Sequence, residues 1–275
     1  MTLFDLATTK EGSIHLQNRL HLMGEEELAS VVDTLAPDMV TLARHGNANY
    51  LVSALWAFGY MHDKVDLFAA PFCQLMVHKH ASHVMQNMFQ CVPRSKVLPL
   101  LEGMRGNVFE IAKTKYGTWT VSSAYMHTRA EFIRRELCEH MYAVSTHPAG
   151  SRAMQKVIKA GYESCFAHAL LRMDAAQLAA LARDEYGNYV VQLVIEGARP
   201  DELDGMIALL APVFPQMSTE LYGSHVAEAI VHASSAQQLA DVAPLMQQVP
   251  CLGFARHVRR IYGAEAEVVK AVTRA

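Results

Sequence analysis

Two polar side chains four residues apart recur seven times along this chain of 275 residues, six times with a flat side chain directly after the first. The pairs are Ser13 with Gln17, Asn49 with Ser53, Ser82 with Gln86, Thr118 with Ser122, Ser151 with Gln155, Asn188 with Gln192, and Ser224 with Glu228. The residue following the first member is, in the same order, Ile14, Tyr50, His83, Trp119, Arg152, Tyr189 and His225. On an α-helix, positions four apart lie on one face a turn apart, and the next residue is rotated by about 100°. Each repeat therefore offers two hydrogen-bonding groups beside a flat one. All but Ile14 have a π-face or a guanidinium plane that can stack on a nucleobase. The chemistry these types suggest is the reading of unpaired bases, edges by the polar pair and faces by the flat residue.

The elements that position these residues follow from the spacing. The first polar residues fall at Ser13, Asn49, Ser82, Thr118, Ser151, Asn188 and Ser224, separated by 36, 33, 36, 33, 37 and 36 residues, and each follows a Gly or Ala. A period in this range is the mark of a stacked-repeat solenoid. The register holds at positions that did not define it. Seven residues upstream stand Leu6, Leu42, Leu75, Ile111, Val144, Leu181 and Met217, and seven downstream Leu20, Trp56, Phe89, Tyr125, Ile158, Ile195 and Val231, all apolar. Apolar residues at plus three, six and seven, such as Val191, Val194 and Ile195, share a helical face. The segment Ala175 to Ala182 before that helix is rich in helix formers, and no alternating β-branched run appears. Each repeat reads as two helices, the fold is all-α, and residues 1–275 form one continuous array. A lone signature also reads as an N-cap with a capping box. Capping gives no reason for a flat residue immediately afterwards.

Composition bounds the function. The formal net charge of −3 is adverse for a nucleic-acid binder, because Lys and Arg supply most non-specific affinity for phosphate. Lys10, Arg44, Lys79, Lys113, Lys115 and Arg183 do recur upstream of the signatures, interspersed with Glu11, Asp184, Glu185 and Glu220. Five widely separated cysteines lack any Cys-x-x-Cys pair, so neither a zinc site nor a disulfide framework is expected. His78, His80 and His83 invite a metal reading, but His80 and His83 provide only two ligands at i, i+3, and no metal or cofactor is expected. No Gly-rich phosphate loop, His-Glu-x-x-His or nucleophile elbow occurs, which points away from an enzyme. Neither a membrane-length apolar run nor a signal-peptide pattern is present, so an intracellular protein is expected.

Gly187-Asn188-Tyr189-Val190-Val191-Gln192 resembles the most characteristic repeat of the Pumilio/PUF family, and Ser224-His225-Val226-Ala227-Glu228 with the following Val231-His232-Ala233-Ser234 resembles that family's seventh repeat. The resemblance covers about residues 3–235. It implies a right-handed α-solenoid, a crescent of about seven repeats whose concave face binds single-stranded RNA antiparallel, one base per repeat. By the family's code, Ser224 with Glu228 implies guanine, Asn188 with Gln192 uracil, and Ser151 with Gln155, Ser82 with Gln86 and Ser13 with Gln17 adenine. Asn49 with Ser53 departs from the code but, with Tyr50, favours uracil; Thr118 with Ser122 is unassigned. The implied target is 5′-G-U-A-N-A-(U)-A. Only Glu228 is a pure acceptor, suited to guanine's N1–H and N2–H. Residues 240–275 read as a degenerate eighth repeat or cap, in which Arg256, Arg259 and Arg260 are candidates to hold phosphate. The resemblance further implies a cytoplasmic monomer that regulates messenger RNA, with protein co-regulators on the convex face. The alternatives are a scaffold that binds proteins through this fold, and a nucleolar ribosome-biogenesis factor without sequence-specific readout.

Overall fold

The computed structural model describes residues 2–273, with side chains to residue 267. All regular structure among them is helical. The signatures lie on α1 (Lys10–Leu20), α2 (Ala48–Ala57), α3 (Ala81–Cys91), α4 (Gly117–Thr128), α5 (Pro148–Ala160), α6 (Gly187–Gly197) and α7 (Leu221–Ala233), and α8 (Ala255–Thr273) follows. The chain divides into two compact bodies, residues 1–136 and 137–275. In the first, α2 packs between α1 and α3, and α3 against α4; in the second, α6 packs between α5 and α7, and α7 against α8. The core of each body is a row of signature helices.

Each repeat contains more than the two helices the sequence suggests. A short helix precedes the signature, as at Met39–Arg44, Val108–Ala112 or Ala175–Ala182, and a third helix usually follows it, as at Glu25–Leu35, Arg94–Leu101 or Pro200–Leu210. The third and the next short helix are nearly continuous, which is why they read as one. They are separated by 3-10 turns such as Ala36–Asp38 and Ala211–Val213, which contain Pro37 and Pro212. Proline lacks the N–H that would continue the helical ladder, so the axis breaks there. In the second repeat the third helix is replaced by a 3-10 turn, Val65–Phe68.

Burial bears out the apolar register. The residues seven downstream of the first polar position, from Leu20 to Val231, are all at most 4 % exposed. Six residues upstream, Ala7, Ala43, Met76, Ala112, Ser145, Ala182 and Ser218 are all fully buried, and in all but Met76 a small side chain lets the short helix approach closely. The small residue of the signature has a matching steric role. A Cβ on Gly117 would lie 2.1 Å from the backbone oxygen of Ile111, seven residues before Thr118. The same upstream carbonyl crowds Gly12, Gly150, Gly187 and Gly223. Because a backbone carbonyl inside a packed junction cannot rotate away, Gly117→Ala is expected to destabilise the protein by about 1–3 kcal/mol. The check is a thermal melt against Gly263→Ala, whose Cβ meets nothing within 4 Å and which should be neutral or stabilising.

Candidate nucleic-acid interface

The start of six of the seven signature helices is fixed by a row of acceptors that the sequence reading missed. Four residues before the first polar position stand Thr9, His45, His78, Thr114, His147, Asp184 and Glu220. His45 Nδ1 accepts from the backbone N–H of Asn47 and Ala48 at 3.2 and 3.3 Å, and His78 and His147 repeat this geometry at the start of α3 and α5. Asp184 Oδ1 accepts from Tyr186 and Gly187 at 2.9 and 2.7 Å, and Thr9 and Thr114 Oγ1 accept from Gly12 and Gly117. Side chains of three chemical types thus satisfy the same orphan N–H groups. Only Glu220 breaks the row, because its carboxylate pairs with Arg183 instead. Capping therefore belongs to these residues and not to the signature's polar pair, whose first member lies within the helix. His78 thus has a capping role through Nδ1, and among the described residues no group of three or more His, Cys, Asp and Glu side chains is placed to hold a metal ion.

An imidazole that accepts at Nδ1 must be unprotonated there. Burial, with Arg44 and His80 nearby, holds the pKa of His78 below the usual histidine value; burial, Lys79, His83 and His45 act likewise on His80. Both groups bind protons less readily when folded. The associated stability is complete above the unfolded value near pH 6.5 and is lost as pH falls through it towards the lowered folded values. The melting temperature should therefore drop between about pH 7.5 and 5.5. His78→Asn, which keeps an acceptor but does not titrate, should reduce that slope, whereas His78→Ala should cost about 0.5–2 kcal/mol at neutral pH.

The two polar positions of the signature are not equivalent. Although residue type marks both as base-edge readers, the first is buried in every repeat: Ser13, Asn49, Ser82, Thr118, Ser151, Asn188 and Ser224 are all at most 2 % exposed. A buried hydroxyl or amide needs partners, and the preceding turn or the next repeat supplies carbonyls. Ser13 Oγ donates to Asn47 O and Ser151 Oγ to Tyr186 O, both at 2.9 Å. Asn49 Nδ2 donates to the carbonyls of His45 and Gly46, and Asn188 Nδ2 to those of Asp184 and Glu185. Ser82 and Ser224 donate to Lys79 O and Leu221 O.

With its protons so placed, the first residue becomes an acceptor that orients the second. Gln17 Nε2 donates to Ser13 Oγ at 3.1 Å, Gln155 Nε2 to Ser151 Oγ at 2.9 Å, and Gln192 Nε2 to Asn188 Oδ1 at 2.8 Å. Gln86 Nε2 donates to Ser82 O. Gln17 and Gln192 Nε2 also donate to Ser13 O and Asn188 O, so every glutamine keeps Oε1 for a ligand, and Gln86 and Gln155 keep one N–H as well. Ser53 and Glu228 are half-buried. Ser122 is fully buried, and its Oγ donates to Thr118 O at 2.6 Å, so α4 presents no second edge reader.

The flat residues are exposed: Tyr50, His83, Trp119, Arg152, Tyr189 and His225, as well as Ile14. Clefts open between them. One of about 430 Å³ is bounded by Arg152 and Tyr189, with Ser151 and Gln155 in its lining. A second, about 220 Å³, lies between Ile14 and Tyr50 with Ser13 and Gln17. A third, about 310 Å³, joins Gln192 to His225 and Glu228. Flat walls with hydrogen-bonding groups between them fit a planar heterocycle. Of the upstream basic residues, Arg183 pairs with Glu220, Lys113 lies 3.0 Å from Glu110 and 4.0 Å from the centre of the Phe109 ring, and Arg44 donates to Gln74. The interface is thus built on shape and hydrogen bonding more than on a basic stripe.

The chain packs α7 against an eighth helix in the same manner as α6 against α7. Ala255 and Val258 of α8 are buried, and Arg256, His257, Arg259 and Arg260 are exposed. Arg259 is tied to the end of the preceding helix, its Nη1 donating to the carbonyls of Met246 and Val249.

Residues 105–257 match the model of a NOP9-like PUF repeat domain, and residues 71–102 that of a Pumilio-family RNA binding repeat. The chain is 22% identical over 254 residues to a Pumilio domain-containing protein of Schizosaccharomyces pombe, covering 87% of this chain and 36% of that protein. It is 23% identical over 159 residues to a putative pumilio homolog 7, chloroplastic, of Arabidopsis thaliana, covering 56% of this chain and 24% of that one. It thus spans about a third and a quarter of the length of these relatives. Among solved structures, PUF-8 in complex with PBE-RNA is similar in fold with a TM-score of 0.82 at 19% identity, covering 96% of this chain and 82% of that one. The Puf4 RNA binding domain bound to an HO endonuclease RNA 3′ UTR recognition sequence gives 0.78 at 18% identity, covering 97% and 92%.

Proposed function

Because the chain belongs to the Pumilio (PUF) repeat family, we propose that it binds single-stranded RNA sequence-specifically, with its signature helices as the reading elements. The observation that carries this reading is the division of labour on those helices. Buried Ser and Asn hold Gln in place, while Tyr, His, Trp and Arg recur exposed at the next position of the same helices. By the family's code, the target is 5′-G-U-A-N-A-(U)-A, with N opposite α4, where Ser122 is buried. On this code Glu228, paired with buried Ser224, reads a guanine; Gln192, held by Asn188, reads a uracil; and Gln17, Gln86 and Gln155, each paired with a buried Ser, read adenines. The regulated molecule is then a messenger RNA carrying this element, bound in the cytoplasm, and the outcome is post-transcriptional control such as translational repression.

A second reading is favoured by the NOP9-like model, which spans residues 105–257. In it the protein binds structured RNA with little sequence preference and serves ribosome biogenesis in the nucleolus. Equilibrium binding separates the two. The first requires tight binding to the seven-nucleotide RNA and a loss of at least about tenfold when its guanine is replaced by uracil. Equal affinities for both, with preference for a folded RNA, establish the second.

A further inference from the structure

The eighth helix carries a different donor set from the seven before it. Arg256 and Arg260 stand in the places of Ser224 and Glu228, four apart on one face of α8, and His257 stands in the place of His225. In α1 to α7 the first of these positions is buried; Arg256 is exposed. No buried floor residue orients a second reader here, so the hydrogen-bonded pair that builds a base cleft is missing. Arg260 Nη2 lies 2.9 Å from His257 Nδ1, and His257 Nε2 is 3.7 Å from Glu228 Oε2. The α8 side chains thus adjoin the proposed guanine reader.

Two guanidinium groups offer donors only. Uracil presents N3–H between its carbonyls, and adenine pairs N1 with the N6 amine; each needs an acceptor that this pair lacks. A phosphodiester presents acceptors only, and its charge matches the site. We propose that Arg256 and Arg260 grip the phosphate on the 5′ side of the guanine, so that α8 anchors the backbone without reading a base. This rests on the RNA reading above, including its antiparallel direction.

The experiment compares 5′-G-U-A-A-A-U-A with the same RNA extended by one 5′ nucleotide, in the full chain. The extension should tighten binding about three- to tenfold, the size expected of two exposed charge contacts. The gain should be the same for A, C, G, U or an abasic residue, and should vanish when the linkage to the guanine is a neutral methylphosphonate. The double variant Arg256→Ala and Arg260→Ala should lose the gain and flatten the dependence of log K on log salt by about 0.7 for the contact removed. Lysine at both positions should retain the gain, because a point charge suffices for phosphate but not for bidentate recognition of a base edge. A preference for guanine or cytosine at the added position, or no gain on extension, overturns the proposal. If the unextended RNA itself fails to bind, it is the RNA reading that has failed.

Discussion

Replacing Glu228 by Gln is expected to weaken binding to 5′-G-U-A-A-A-U-A by about 10- to 100-fold, the range of one good edge contact. Guanine offers two adjacent donors, N1–H and N2–H, and a carboxylate accepts from both. An amide accepts from one and opposes the other with its own N–H, leaving a donor facing a donor. The variant should bind the RNA with adenine or uracil in place of guanine as well as, or better than, the original. Glu228 is half-buried and its carboxylate lies 3.7 Å from His257 Nε2, a distance that the isosteric glutamine preserves, so the exchange leaves the packing of α7 intact. Titrating the three RNAs against both proteins by fluorescence anisotropy gives the result. An unchanged ranking would remove Glu228 as the guanine reader.

Tyr189→Ala is the second large effect. Its ring is 52% exposed and forms one wall of the cleft that holds Gln155, with Arg152 opposite. Stacking a base on an aromatic ring contributes about 1–3 kcal/mol, so the variant should lose about 5- to 150-fold in affinity. Tyr189→Phe keeps the π-face and should bind nearly as the original does. Since little of Tyr189 supports the core, thermal melts of both variants should match the parent. A fall in melting temperature for Tyr189→Ala alone would mean that the ring is structural. Equal affinity of all three proteins would mean that the cleft holds no base.

The apolar scaffold was legible because it repeats by residue type. Leu181, Val191 and Ile195, and their equivalents, face packed neighbours in each repeat, and burial permits only apolar residues there. The Gly117 junction was legible too, as a carbonyl approaching to 2.1 Å excludes any Cβ. The third helix, where a repeat has one, was hidden by its near continuity with the next short helix. The acceptor row was hidden for another reason: His78, Thr114 and Asp184 do one job with unlike side chains, so a search by residue type passes over them. Nor does a sequence separate Ser151 from Gln155 by exposure. Both are polar, and only the carbonyl of Tyr186, 35 residues ahead, makes the burial of Ser151 tolerable. The structural share of Arg259 was hidden in the same way, since its Nη1 is held by carbonyls ten and thirteen residues earlier.

Selection of binding sequences from a random single-stranded RNA pool tests the central claim most directly. The account expects enrichment of 5′-G-U-A-N-A-U-A, with guanine and the adjacent uracil strongest and the fourth position open. An unenriched pool, or enrichment of a folded RNA with no common linear motif, would contradict it.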